Sequence, residues 1–313
     1  ETEVFYINYT SLSMKYSSIS NNNRKNFTNL NLLENKIEDF KPDIIYIQNT
    51  IFFKNQDILN LKKKFPFIKF VISWICTPLR KEILSVIDSS DLILTCSKEY
   101  FKDLIQLHQN VLQINHAFDE RNYNHLEFDK KIFDVSFYGS IIVKKGFHIN
   151  RLNILNEIIS EIKQINICGQ TDFDYKEVFN IKNFINYYQI KNKIKLPVYG
   201  IDYFKMVSNS KICINTHADN QEFSGNMRLF DVTGQGTLLL TDKNKDSKDF
   251  FISDTECVEF ENAQDAIEKI NWLLKNPKKL IEIAENGRKK TLEFFSYKNR
   301  CEIISKILND KLC

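Results

Sequence analysis

From Asn215 to Asp242 the chain reads NTHADNQEFSGNMRLFDVTGQGTLLLTD, a stretch dense in groups that can do chemistry. His217, Asp219 and Glu222 fall in a polar loop after an apolar run, and Ser224, Gly225 and Asn226 then open a helical pattern. The unpaired amides of such a helix start form a natural anion site. Arg228 and Asp231 are three residues apart, so both side chains can point to one helix face. A guanidinium suits a diphosphate, and a carboxylate suits paired sugar hydroxyls. The same spacing equally fits a surface ion pair contributing roughly 0.2–0.5 kcal/mol. A second candidate is Tyr138-Gly139-Ser140, followed by Lys144-Lys145-Gly146. A strand that ends in Gly-Ser can turn tightly, expose amide donors and bring the lysine pair to a phosphate. An ordinary strand-to-helix turn with surface lysines would look the same.

Glycine is scarce in the chain around these loops. The 313 residues contain 8 glycines, none before Gly139. The first 138 residues therefore hold no glycine-rich phosphate loop, and any backbone contact to a phosphate at glycine belongs to the second half. About 43% of the chain is apolar and 27% charged, which fits a globular protein with a sizeable core. The net charge of +3 is spread evenly, which argues against a nucleic-acid module. The Lys62-Lys63-Lys64 run reads as a solvated helix end.

The elements that must position these loops alternate in type. Strands are expected at Val4–Ile7, Asp43–Ile47, Phe67–Ile72, Asp91–Thr95 and Val111–Ile114, with helices near 26–40, 54–64, 79–88 and 97–108. Residues 116–132 are polar and without periodicity, as in a linker. A second series has strands at Asp134–Tyr138, Gln164–Cys168, Ile194–Leu196, Ile212–Asn215, Thr237–Thr241 and Cys257–Phe260. Its helices are expected near 149–162, 175–190, 201–208, 226–234, 262–275, 278–294 and 298–311. Alternation of this kind predicts α/β architecture: two Rossmann-like, doubly wound domains in tandem. Ligands of such sheets lie beyond the carboxyl ends of the strands. The expected division is residues 1–120, then 132–298, then a C-terminal helix over 299–313 that could cross back to the first domain.

Seven cysteines show no CxxC or CxH spacing and read as unpaired, which predicts a reducing, cytoplasmic setting and no zinc. No run approaches 18 apolar residues, so no membrane span is expected. The chain opens on Glu1-Thr2-Glu3 with no signal-peptide pattern and no initiating Met, as a fragment would. Asp172-Phe173-Asp174 is a DxD string that reads as a solvated turn rather than a metal site. His108, His125 and His148 are assigned no role.

MRLFDVTGQGTLLLTD, from Met227 to Asp242, resembles the MR-x-FE-A-x-A-C-G-x-x-LLTD segment of CgeB-like, spore-maturation-protein-like glycosyltransferases. DVSFYGS (Asp134 to Ser140), KICINTH (Lys211 to His217) and the tail from Glu261 to Arg300 are similar to that family in the same order. The first half is similar more loosely, through KPDIIYIQ and the SWICTPLR segment. The resemblance implies a GT-B fold, two Rossmann-like domains facing a central cleft. It implies that Asp231, where the family has Glu, holds the donor ribose. It places Arg228 and Asn226 at the diphosphate or sugar, Gly139 and Ser140 under the diphosphate, and His217 near the transferred sugar. Gly234 would let its helix pack close to the ligand, where Gly234-Gln235 replaces the family's Ala-Cys pair.

The function so implied is transfer of a sugar from a nucleoside-diphosphate donor, a UDP-sugar first, to a glycan, protein or small molecule. No metal and no cofactor beyond the co-substrate are expected, and no nucleic-acid partner; peripheral membrane association stays open. Donor-binding residues would be Gly139, Ser140, Lys144, Lys145, His217, Ser224, Gly225, Asn226, Arg228, Asp231 and Gly234. Catalysis would fall to Arg228 as leaving-group stabiliser and His116 as general base, with Trp74, Thr77 and Arg80 on the acceptor side. The alternative is a non-catalytic nucleotide-sugar-binding or assembly protein on the same fold.

Overall fold

A computed structural model describes residues 29–77, 79, 81–84, 86–124, 131–143, 146–172, 181–219, 222–223 and 225–312. The strand expected at Val4–Ile7 and the candidates Arg80, Lys144, Lys145 and Ser224 lie outside the described residues. The chain falls into two compact units, with the break between Ile114 and Asn115.

The first unit runs α1 (Asn29–Phe40), β1 (Ile44–Ile47), α2 (Asn55–Lys64), β2 (Phe70–Trp74), α3 (Lys81–Leu84), β3 (Leu92–Thr95), α4 (Lys98–Leu107) and β4 (Val111–Gln113). Its four strands are parallel in the order β1-β2-β3-β4. Strand β2 starts three residues later than the apolar run suggested. Pro66 and Phe67 form a turn, and the Lys69 N–H instead donates to Asp43 O. The helix expected over 79–88 is one turn long before the chain enters turns. Cys76 and Cys96 follow the adjacent strands β2 and β3 and are joined by a disulfide, with Cα atoms 5.6 Å apart. The reading of all seven cysteines as unpaired is therefore wrong for these two. Parallel neighbours bring together residues 20 apart in sequence, which no spacing rule detects.

The second unit continues with α5 (Arg121–Asn124), β5 (Phe133–Tyr138), β6 (Ile141–Ile142), α6 (Ile149–Glu161), β7 (Ile165–Cys168), β8 (Thr171–Asp172), α7 (Ile181–Lys191) and α8 (Gly200–Ser208). It ends with β9 (Ser210–Asn215), α9 (Met227–Gly234), β10 (Leu238–Asp242), β11 (Val258–Phe260), α10 (Ala263–Lys275), α11 (Pro277–Phe294) and α12 (Tyr297–Leu312). Five parallel strands stand in the order β11-β10-β9-β5-β7, and β6 pairs with β8 in a separate ribbon. Successive side chains of a strand point to opposite faces. Val135, Phe137, Ile212, Ile214, Leu238 and Leu240 enter one core, while Tyr138, Cys213 and Leu239 enter the other. Both faces are thus covered, which is why these strands read as continuous apolar runs.

Two expectations fail here for local reasons. Among the described residues Ile194–Leu196 makes a single bridge, Cys168 to Lys195, and Leu196 is 85% exposed. The Pro197 that follows has no N–H to extend a ladder. The segment expected to be a polar linker contains Phe118, which is fully buried among Phe230, Phe250, Phe251 and Phe295. The Phe118 N–H donates to Phe295 O and its carbonyl accepts from Tyr297 N–H. This pairing fastens the start of the second unit to the junction of α11 and α12.

Candidate functional site

The chain passes from β5 to β7 on one side and later returns to β9 on the other, so the carboxyl end of β5 is where the winding reverses. Such a switch point leaves a crevice between diverging loops and is the usual ligand position in open parallel sheets. Gly139 and Ser140 follow β5, Gly169 follows β7, Thr216 and His217 follow β9, and Asp242 closes β10. The sequence-predicted loops after β5 and β9 therefore converge at one sheet edge.

Arg228 sits in the first turn of α9, where the helix points its amino end back to that edge. Its Nη1 donates to Asn215 Oδ1 at 2.7 Å, and its guanidinium carbon stands 5.0 Å from the Phe137 ring centroid. Asn226 Nδ2 donates to the same Asn215 oxygen at 3.0 Å, while Asn215 Nδ2 is spent on Thr241 Oγ1. One buried amide thus fixes both side chains at the helix start. Among the described residues Asn226 Oδ1 is buried without a partner, and Gly225 beside it is buried too. The Arg228 guanidinium lies directly over Gly139.

His217 is 5% exposed and doubly tied to Asp242, whose Oδ1 meets Nδ1 at 2.7 Å and whose Oδ2 accepts the His217 N–H at 2.8 Å. Burial raises the Asp242 pKa, but these bonds from His217 outweigh it and hold the carboxyl below its ordinary range. An ionised Asp242 selects the tautomer with hydrogen on Nδ1, which leaves Nε2 as an acceptor. That Nε2 is buried and unpartnered among the described residues.

Sequence reading missed Arg151, which ties the loops together. Its Nη1 donates to Ser140 O, Nε to Thr216 Oγ1 and Nη2 to Thr216 O, each at 2.7 Å. Burial, and then the neighbouring Arg228, bring its pKa down to about 9. Nearby His148 accepts the Ile142 N–H on Nδ1, and burial followed by Arg151 and Arg228 lowers it to about 3. His148 is therefore a neutral structural acceptor. Asp219 accepts the Asn150 N–H at the start of α6.

Asp231 is 7% exposed and accepts from the Tyr203 hydroxyl at 3.3 Å. Burial is the main cause raising its carboxyl to about 7, against the Tyr203 hydrogen bond and Arg228, which both lower it. A cavity of about 110 Å³ opens beside the switch point, lined among others by Gly139, Ser140, Gly169, Tyr199 and Tyr203. Tyr203 and Asp231 thus connect the cavity wall to α9.

Other candidates are placed elsewhere. Gly234 ends α9, one helix length from Arg228, and a side chain there would run into the ring of Phe118. It thus packs at the amino edge of the sheet, away from the loops after β5 and β9. His116 is half-buried, and desolvation followed by Arg300 lowers it to about 4, an environment that resists the imidazolium a general base must become. Trp74 ends β2, half-buried, and Thr77 beyond it is exposed. Asp172 is exposed at the end of β8, and the rest of its DxD string lies outside the described residues.

Residues 151–306 match the family described as "Glycosyl transferase-like". None of the curated proteins matches the sequence. Among solved structures, HepE from Anabaena in complex with UDP-glucose is 14% identical, covering 90% of this chain and 82% of its own, with a TM-score of 0.62. Sucrose-phosphate synthase from Thermosynechococcus elongatus is 9% identical over 90% of this chain and 76% of its own, with a TM-score of 0.58. A mutant of S. aureus TarM, in complex with fondaparinux, alpha-GlcNAc-glycerol and UDP, is 14% identical over 90% and 58%, with a TM-score of 0.59. The fold they share with this chain is GT-B, a mixed α/β architecture of two Rossmann-like domains with parallel sheets.

Proposed function

We propose, from the glycosyl transferase-like pattern of residues 151–306, that this protein transfers a sugar from a nucleoside-diphosphate donor held by its second unit. The observation that carries the reading is the switch point itself. There a guanidinium and a helix amino end converge over Gly139 beside a cavity. HepE, with UDP-glucose, and TarM, with UDP, share the fold, which makes a UDP-sugar the first donor to try.

In this reading the diphosphate lies across Gly139 and Ser140, facing Arg228 and the amides at Gly225 and Asn226. An acceptor hydroxyl oxygen bonds to the sugar C1 as the C1–O bond to the diphosphate breaks; the electron pair leaves with the diphosphate, Arg228 holds the growing charge, and the acceptor's proton passes to the departing diphosphate or to solvent. Preorganised positive groups of this kind supply most of the rate in such transfers without a divalent metal. His217, oriented by Asp242, offers Nε2 to a hydroxyl of the transferred sugar. The acceptor, a glycan, protein or small molecule, would meet the first unit at Trp74, Thr77 and Arg80.

A second reading, nucleotide-sugar binding without turnover, draws on one observation: the lowered pKa of His116 leaves it a poor base. A thermal-shift screen with UDP, GDP, dTDP, CMP and NAD, followed by a donor-turnover assay, separates the two. Stabilisation by one nucleoside diphosphate with release of its sugar supports the enzyme. Stabilisation without sugar release under any acceptor supports the binding protein, and stabilisation by none refutes both.

A further inference from the structure

Helix α7 (Ile181–Lys191) carries apolar side chains on both of its sides. Its inner side is fixed against α6. Asn186 Nδ2 donates to Asn153 Oδ1 at 2.9 Å, Asn186 Oδ1 accepts from Asn156 Nδ2 at 3.0 Å, and Tyr187 and Ile190 enter the core. At 3.6 residues per turn, Phe184, Tyr188 and Lys191 then share one stripe on the outer side, with Ile185 beside it. Phe184, Ile185 and Tyr188 are 45%, 48% and 58% exposed, and the two rings stack with centroids 6.5 Å apart. A surface helix ordinarily turns polar side chains outward. Here the charge at its carboxyl end is positive, from Lys191 and, two residues on, Lys193, both exposed. Between Glu177 and Asp202 the sequence carries four lysines and no acidic residue.

We propose that this face docks on an anionic lipid bilayer, the rings entering the headgroup layer and the lysines meeting lipid phosphates. Such docking is independent of the transfer reaction above. At 11 residues α7 is too short to cross a hydrocarbon core, so it lies in the plane of the surface. Phe and Tyr supply apolar area at that depth, and lysine stems reach out of it to the phosphates. A second copy of the chain fits less well, because a two-fold pairing of this face on itself would set the same lysines close to one another. The absence of acidic residues across the stretch spares it the repulsion that a negative membrane surface would impose.

The test is co-sedimentation of the full chain with vesicles of equal parts phosphatidylcholine and phosphatidylglycerol, beside vesicles of phosphatidylcholine alone. The parent should pellet with the mixed vesicles at low salt, be released at high salt, and stay in solution with phosphatidylcholine alone. Lys191→Gln and Lys193→Gln should each weaken partitioning about 5-fold. Phe184→Ser and Tyr188→Ser should each weaken it about 5- to 10-fold through lost apolar burial. Trp272→Ser, which removes an exposed ring on α10, should pellet as the parent does. Melting temperatures close to the parent's identify the variants as folded, and the two lysine changes keep the test open if either aromatic change unfolds the chain. No pelleting of the parent, pelleting unchanged in all four α7-face variants, or equal pelleting on phosphatidylcholine alone overturns the proposal. So does a parent dimer that Tyr188→Ser turns into a monomer without any lipid binding, which would assign the face to a second copy.

Discussion

The guanidinium of Arg228 fills the space where the Cβ of residue 139 would stand if it were anything but glycine. One residue follows β5 and the other lies in the first turn of α9, so two separate pieces of the chain meet at one point. Gly139→Ala should therefore act like a mutation of Arg228, by pushing its guanidinium off Asn215. Losing a charge-assisted contact to diphosphate should weaken nucleotide binding by about 10- to 100-fold in either single variant. Calorimetry on Gly139→Ala, Arg228→Ala and the double variant should show losses that do not add.

Asp231 supplies a pH test independent of any ligand. Its folded pKa of about 7 lies above the unfolded 3.8, so the folded protein holds an extra proton between these values. Stability from this group is full below about pH 4 and is lost as pH rises through 7. Asp231→Asn removes the titration. The variant should melt a few degrees higher than the parent at pH 8 and close to it at pH 4.5, giving a difference that grows with pH. A constant difference across that range would contradict the assignment.

Gly234 and Gly139 separate packing from binding. Gly234→Val would force the Phe118 ring out of a fully buried position, costing about 1–3 kcal/mol. Thermal unfolding should report that loss, while nucleotide affinity measured below the transition should stay unchanged.

The Cys76–Cys96 bond predicts a cross-linked peptide pair on non-reducing digestion and its disappearance after reductant. A link across 20 residues of sequence contributes about 3 kcal/mol in the chain-entropy account, so Cys76→Ser should lower the melting temperature by several degrees.

What could be read from sequence follows from what sequence encodes. The alternation of apolar runs with amphipathic stretches marks the parallel sheets, since buried strands such as β9 must be apolar on both faces. Arg228 was visible because it opens a helix after a polar loop. Arg151 was not, because a single arginine inside a helical pattern looks like a solvated one, and its three oxygen partners come from two distant loops. Phe118 escaped notice because one aromatic in a polar segment has no period. Tyr203 likewise shows its meaning only when α8 and α9 are set side by side. Cys76 and Cys96 are joined by strand adjacency, which is a property of topology and not of spacing.

Gly169 lies so close to Gly139 that a methyl group on it would collide with the Gly139 carbonyl. Neither can drift alone: a lineage that acquired a side chain at 169 would have to rebuild the turn at 139, and with it the seat of Arg228. A saturation mutagenesis screen scored on activity would therefore mark both positions as equally intolerant, although Gly169 would act only by keeping its neighbour in place. The two glycines form a single evolutionary unit split across thirty residues of chain.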